Sequence, residues 1–371
     1  MTALDLLTGD AQVFTTKIWA LHTHVHRRDP EALVALLRLE DVDRLLTSSA
    51  IRTPAVRVAR DGNVLPESSY TRSGSLAGKP LTGLVDPARL LTLFDDGATV
   101  VLQGLQRSWP PLAELVADLE RELGHPCQAN AYLTPPGAQG FAVHSDSHDV
   151  FVFQTHGHKL WEVHGEDGAE ELLLEPGVVA YLPTGTPHAA RAQEVPSLHV
   201  TLGINQLTWR GLVGRVVSEA LAEVPDAHLP AGYLDDPRLL SDGLAGHLDA
   251  VVEHVRRVVG ADVARDQVRR FLTSRPPRLA GGLVDRAALA DVAPGTRLER
   301  RPGVPCVLEE AGDQVRMLLG DRSLLLPARI RPALEQVAAA ASLTPAELAL
   351  DEQSALVLCR RLVREGLLRI G

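Results

Sequence analysis

The chain has 371 residues, 45% of them hydrophobic and 23% charged, with a formal net charge of −10. That length suggests two or three domains with sizeable cores, and the acidic balance argues against a broad affinity for nucleic-acid phosphates. Three scattered cysteines, Cys127, Cys306 and Cys359, form no CxxC pair and suggest no disulfide framework, so a reducing cytoplasm is the expected compartment. Residues 1–5 lack the basic region and apolar run of a secretory signal, and no run reaches the length of a membrane span.

In chain order, His22, His24 and His26 alternate with period two. With no acidic or cysteine partner nearby, they read as solvated histidines on a strand edge rather than a metal clamp. Amphipathic helical patterns follow at residues 30–46 and 110–123, with strand-like runs at 55–59 and 99–102 between them. Residues 149–154 (Asp-Val-Phe-Val-Phe-Gln) read as a strand. After a turn signal at Gly157, residues 159–163 read as the next. Pro176-Gly177 introduces an apolar strand at 178–182, and residues 197–202 alternate polar and apolar. Short strands at close spacing with Gly/Pro punctuation predict an antiparallel barrel or sandwich.

From about 207 to 275 the pattern turns helical, at 209–223 and 246–259. The stretch Ser274-Arg275-Pro276-Pro277-Arg278, followed by Gly281-Gly282, reads as a boundary. Beyond it, strands at 304–309 and 314–319 and helices at 328–341 and 351–365 predict a small winged-helix module. The expected domains are therefore 1–206, 207–280 and 281–371. Arg360, Arg361, Arg364 and Arg369 alternate with acidic residues and make no basic stripe, so direct nucleic-acid binding is not expected.

The stretch 144–188 carries the chemistry. It opens with His144-Ser145-Asp146 and closes with Pro183-Thr184-Gly185-Thr186-Pro187-His188. Two imidazoles and one carboxylate suit a facial site for a divalent metal, usually non-haem Fe(II). On a strand, residues i and i+2 share a face, so His144 and Asp146 could reach one ion. His199 shares a strand face with Ser197 and Thr201; it rivals His188 as third ligand but reads better as a cavity-lining residue. Most of His148, His156, His158 and His164 read as solvated or loop histidines. Lys159 is one of only three lysines, with Lys17 and Lys79, in an arginine-rich chain. Its compact charge on a flexible stem suits a role inside a barrel strand. Asn130 and Tyr132 alternate on one strand face.

Several motifs together resemble the JmjC-type cupin oxygenases, and most of all the ribosomal oxygenase group. They are Tyr132-Leu133-Thr134-Pro135-Pro136-Gly137-Ala138-Gln139-Gly140-Phe141, His144-x-Asp146, Asp149-Val150-Phe151, Gln154, Gly157, Lys159 and Trp161, then Tyr181-Leu182-Pro183-x-Gly185-x-Pro187-His188 and Ser197-Leu198-His199-Val200-Thr201-Leu202. The close match covers about residues 125–205, and a looser one extends over the chain. Each piece alone is unspecific; the combination is specific.

The resemblance implies a mainly β fold with α, a double-stranded β-helix followed by a helical dimerisation region and a C-terminal winged helix. It implies Fe(II), with 2-oxoglutarate and O2 as co-substrates, and hydroxylation of a residue in a protein, with succinate and CO2 released. Bacterial members act on an arginine of a ribosomal protein and eukaryotic members on histidines. The implied metal ligands are His144, Asp146 and His188. Lys159 would hold the distal carboxylate of 2-oxoglutarate, with Tyr132, Asn130 and Thr201 nearby, and no further catalytic residue is implied. Relatives often carry a hydroxyl two positions after the equivalent of Thr201; this chain has Gly203 there, so that contact is not carried over. Residues 207–221, with Trp209, Leu212, Val213, Val216, Val217 and Leu221 at helical spacing, would form a homodimer interface. The competing readings are a peptide-tailoring hydroxylase of the same chemistry, a non-oxidative cupin isomerase or binder, and a degenerate barrel without activity.

Overall fold

The computed structural model describes residues 2–138, 143–165, 168–192, 194–276 and 279–371. Met1, Gln139, Gly140 and Phe141 of the motif, and Pro277 and Arg278 of the expected boundary lie outside the described residues. The chain divides into two compact units, residues 1–206 and 207–371.

The first unit is built on two antiparallel sheets. Its strands are β1 (His24–Arg27), β2 (Val56–Arg60), β3 (Asn63–Val64), β4 (Thr71–Leu76), β5 (Lys79–Val85), β6 (Thr99–Leu102), β7 (Cys127–Thr134), β8 (Asp149–His156), β9 (Lys159–Gly165), β10 (Gly168–Leu174), β11 (Val178–Leu182), β12 (His188–Ala192) and β13 (Ser197–Ile204). Eight form a sheet in the order β1-β11-β8-β13-β7-β6-β2-β3, three form a second in the order β10-β9-β12, and β4-β5 is a separate ribbon.

Strand β8 shows why the sequence takes this form. Every residue from Asp149 to Thr155 is buried, because both faces of the strand are covered. Phe151 and Phe153 face one way, into a core with Phe14, Tyr181, Leu33 and Leu112. Val150 and Val152 face the other way, toward Trp161, Val163 and Leu174 of the smaller sheet. Helices cover the outer face of the large sheet. The helix Pro110–Leu123 starts with proline and ends at Gly124 in the left-handed conformation; it buries Leu112, Leu115, Val116 and Leu119, one stripe of a 3.6-residue repeat. The inner face of the large sheet therefore carries the residues that alternate with this core: Tyr132 between Ala131 and Leu133, and His199 and Thr201 flanking Val200.

Gly157 turns β8 into β9 with φ 61°, and a Cβ there would sit 2.0 Å from the Pro196 carbonyl oxygen, so only glycine fits. The histidines at the start of the chain lie on or beside the edge strand β1: His24 reaches the Thr8 carbonyl at 3.1 Å, and His22 is exposed.

The second unit opens with helices Trp209–Ala222, Arg238–Arg257 and Gly260–Thr273. Residues 282–370 then form two three-stranded sheets: β14 (Leu298–Arg300) between β18 (Ser342–Leu343) and β19 (Leu368–Ile370), and β16 (Gln314–Leu318) between β15 (Val307–Ala311) and β17 (Ser323–Pro327). Helices Arg331–Ala339 and Glu352–Arg364 supply Leu334, Val337, Leu358 and Leu362 to a shared core. A buried Arg301–Asp285 ion pair ties this segment together, and the other Asp285 oxygen accepts from the Ile370 amide at 3.1 Å.

Candidate metal centre and cavity

The centre is assembled by main-chain bonds between two distant loops. The His144 amide donates to the His188 carbonyl at 3.0 Å, and the His188 amide returns the bond to His144 at 2.8 Å. The Gly185 amide donates to the Asp146 carbonyl at 3.0 Å. The turn that carries Thr184 is pinned in turn by the buried Asp149. One oxygen of that carboxylate accepts from the Thr184 amide at 2.8 Å and its hydroxyl at 2.6 Å, and the other accepts from the Tyr181 hydroxyl at 2.6 Å. Burial and the Asp149 carboxylate both push the Tyr181 phenol well above its ordinary pKa, so it remains a donor.

This corrects one sequence expectation. His144 and Asp146 do not share a strand face: β8 begins only at Asp149, His144 forms an isolated bridge to His188, and Asp146 lies in the loop between. The loop is held by its bonds to the 185–188 turn rather than by a ladder.

One donor atom from each of His144, Asp146 and His188 lies within 4.8 Å of the others. The two rings are 4.5 Å apart at 57°, and His188 Nε2 is 3.8 Å from an Asp146 carboxylate oxygen. His188 Nδ1 lies 3.0 Å from the Thr186 carbonyl. That acceptor fixes the proton on Nδ1 and leaves the Nε2 lone pair facing the cluster. Burial lowers the His188 pKa and the nearby His144 adds to it, which favours the neutral, metal-binding form. His199 is not in the cluster. It is buried, stacked on Tyr132 at 4.8 Å and 4°, and edge-on to Trp161 at 5.6 Å. Burial, reinforced by the Lys159 charge, holds it well below the usual imidazole range.

The cluster opens into a cavity of about 270 Å³. Lys159 lies in its wall, 3% exposed, with Nζ donating to Thr134 Oγ1 at 3.0 Å. Thr99 Oγ1 also donates to Thr134 Oγ1, at 3.2 Å. Burial alone brings the Lys159 pKa down to about 8, and among the described residues no carboxylate pairs with it. Tyr132 and Thr201 line the same cavity. Asn130 does not: its side-chain oxygen accepts from the Gly104 amide at 2.9 Å and serves a turn after β6. At Gly203 a Cβ would lie 2.7 Å from His148 Nε2. His148 occupies the room that a side chain at 203 would need, which accounts for the missing hydroxyl. A larger cavity of about 410 Å³, lined by Leu46, Leu90, Phe94 and Leu133, lies on the opposite face of the large sheet and has none of these convergent polar groups.

Sequence reading passed over two lining residues, Thr99 and Arg57, and the buried Thr134 that holds Lys159. Thr134 sits in the motif, yet its bond to Lys159 depends on two strands that are distant in sequence. Thr99 and Arg57 lie in strands that were expected, on faces set by pairing. The one local signal was alternation: Arg57 is flanked by the buried Val56 and Val58.

Residues 106–212 match the JmjC domain family model. The curated proteins that the chain is similar to include ribosomal oxygenase 1 and NO66. It is 35% identical over 178 residues to ribosomal oxygenase 1 of Rattus norvegicus, covering 40% of this chain and 30% of that one. It is 29% identical over 296 residues to the bifunctional lysine-specific demethylase and histidyl-hydroxylase NO66 of Aedes aegypti, covering 69% of this chain and 45% of that one. The chain thus spans less than half the length of these curated relatives. A solved structure of the Escherichia coli ribosomal oxygenase YcfD, in complex with cobalt and 2-oxoglutarate, shares the fold, with a TM-score of 0.51 at 19% identity over 98% of both chains.

Proposed function

We propose that the protein is an Fe(II)- and 2-oxoglutarate-dependent oxygenase that hydroxylates an arginine or histidine side chain of a ribosomal protein. The observation that carries this reading is the convergence of His144, Asp146 and His188 on a cavity whose wall also holds a buried, carboxylate-free lysine. The donor set fits the ion: two imidazole nitrogens and one carboxylate oxygen are the facial triad of non-haem Fe(II) oxygenases. When bound, iron with 2-oxoglutarate and O2 supplies the C–H oxidation.

The residues of the chain do the rest. His188 presents Nε2 because Thr186 holds its other nitrogen. Lys159 supplies a fixed positive charge for the distal carboxylate of the co-substrate. Thr134 accepts from both Lys159 and Thr99 and so holds the ammonium in the cavity wall. Tyr132 and Thr201 line the same cavity, and Val150, Val152 and Trp161 form an apolar wall that limits water. A non-oxidative cupin would leave the Lys159 charge buried with nothing to pair with, which favours the oxygenase over the isomerase or binder. The names of the relatives support a ribosomal substrate over another peptide.

Two further parts of the reading concern residues 207–371. Helix Trp209–Ala222 exposes Trp209 (82%), Val213 (56%) and Leu221 (55%), and this stripe would bury itself in a homodimer. Residues 281–371 would be a winged-helix module that supports packing or substrate rather than nucleic acid. Arg361 pairs with Glu365 at 2.7 Å and Arg369 with Glu299 at 2.9 Å, so their charges are spent internally. No described helix is long and apolar enough to cross a membrane, and the proposed substrate is cytoplasmic.

The test is to incubate the full chain with Fe(II), 2-oxoglutarate and ribosomal proteins from cells lacking it. One ribosomal protein should become heavier by one oxygen atom, and succinate should accumulate with it. Succinate without any oxidised ribosomal protein would shift the substrate elsewhere; no succinate and no metal uptake would remove the oxygenase reading.

A further inference from the structure

Arg57 lines the cavity and is neither a donor of the metal cluster nor a partner of Lys159. It lies on β2 opposite Val101 of β6, which lies opposite Tyr132 of β7. Directly paired residues share a sheet face, so Arg57, Val101 and Tyr132 form one row on the inner face. The nearby Arg57 charge partly offsets the rise in the Tyr132 pKa that burial causes. Arg57 Nε is buried with no hydrogen-bond partner, and among the described residues the side chain has neither an ion pair nor a hydrogen bond. A guanidinium in a shielded wall without acceptors is a binding group awaiting its ligand.

The charges decide which ligand. Among the described lining residues Asp146 is the only carboxylate, and Arg57 and Lys159 are both cations. Under the oxygenase reading Asp146 is a metal ligand, and the two carboxylates of the co-substrate go to the ion and to Lys159. Arg57 is then left as a cation facing the substrate. No described wall residue offers a carboxylate to a guanidinium or ammonium entering from outside, and Arg57 would repel it.

We propose that Arg57 selects the target side chain, and that the target is uncharged with a hydrogen-bond acceptor, as neutral histidine is, rather than arginine or lysine. This rests on the oxygenase reading and narrows its substrate class.

The test uses the full chain and four hexapeptide libraries with randomised flanks and a fixed central His, Asn, Arg or Lys. Retention is measured on immobilised protein loaded with Mn(II) and 2-oxoglutarate under nitrogen. Oxygen addition is measured separately by mass spectrometry with Fe(II) in air. The His-centred library should exceed the Arg- and Lys-centred ones by at least about tenfold in both readouts. Arg57→Gln should narrow that ratio, and Arg57→Glu should turn it toward the cationic libraries, with melting curves confirming that both variants fold. Equal retention of all four libraries, a preference of the unmodified protein for Arg or Lys, or an unchanged ranking in Arg57→Glu overturns the proposal. Metal-dependent 2-oxoglutarate binding by the unmodified protein is measured first. Its absence removes the oxygenase reading and this inference together; its presence with an unchanged ranking removes this inference alone.

Discussion

The two compact units depart from ordinary partition between core and surface in opposite directions. The first hides polar groups: Lys159, His188, His199, Thr134 and Asp149 are all buried inside it. The second leaves apolar groups outside: helices Arg238–Arg257 and Gly260–Thr273 bury no residue at all, and Trp209 and Leu234 are more than four-fifths exposed. A buried cation without a carboxylate and an uncovered apolar stripe both cost stability. Each makes sense as a surface made for something that binds: small charged molecules in the first unit, another polypeptide face in the second. A single patch can be dismissed as ordinary, but two departures of opposite sign, each most marked in a different unit, point to a division of labour between chemistry and assembly.

That division can be broken at the metal cluster first. His188→Ala should lower metal affinity by more than roughly 100-fold, since even outer partners of a ligand are worth 10–100-fold. Metal retained after dialysis, read against an unchanged far-ultraviolet spectrum, measures it. Full retention would show that the cluster is not a binding site.

Lys159 gives a two-sided test. Lys159→Met should raise the 2-oxoglutarate requirement roughly 100-fold, because a buried ion pair that loses one partner costs about 2–5 kcal/mol. Without co-substrate the same change should raise the melting temperature, because it removes a buried charge that has no carboxylate partner. A variant less stable in both states would show that Lys159 is held for structure.

The second unit is tested by Val213→Asp with Val217→Asp. Light scattering at micromolar concentration should fall from a dimer to a 40.0 kDa species while the cavity keeps its metal uptake. A 40.0 kDa species for the unmodified chain would end the assembly half of the comparison.

A smaller effect comes from pH. Lys159 has its pKa lowered to about 8, so the protonated form that pairs with a carboxylate dominates only below that value. Affinity for 2-oxoglutarate should therefore fall above pH 8, by at most about tenfold per unit. Stability without co-substrate runs the other way. Between about pH 8 and the ordinary lysine value near 10.4, the unfolded lysine keeps a proton that the folded one has lost. Stability should rise through that window. The smallest change is Gly203→Ser, which would press on His148 and cost about 1–3 kcal/mol, as overpacking does; the added change His148→Ala should recover most of it.

Much of the first unit was legible in sequence because its signals are local. Strands 99–102 and 178–182 and helix 110–123 appear at the expected residues, since β-branched runs, Pro-Gly punctuation and a proline start need no distant partner. What was missed depends on partners. Strand β10, Gly-Ala-Glu-Glu-Leu-Leu-Leu, and strand β12, His-Ala-Ala-Arg-Ala, are built from helix-favouring residues and are strands only because β9 pairs with both. The same holds in the cavity. A His-x-Asp motif can be read from spacing, whereas Arg57 faces inward because of the register between β2 and β6. Asn130 was placed on the correct sheet face, but the loop amide of Gly104 takes its side chain away from the cavity, and a loop's course is not written in alternation.

The reciprocal main-chain bonds between His144 and His188 have a consequence for folding as well as for chemistry. Beside the Gly185–Asp146 bond, they join the two ends of the stretch from residue 144 to 188, which contains β8 to β11 and leads into β12. An ion gripped from both ends of the stretch would act as a cross-link, restricting the unfolded chain and holding the closure shut. Local opening of this segment would then be governed by metal concentration, through mass action on the closed form alone. Amides from β8 to β12 would exchange as one cooperative block in the loaded protein and as frayed pieces in the stripped one.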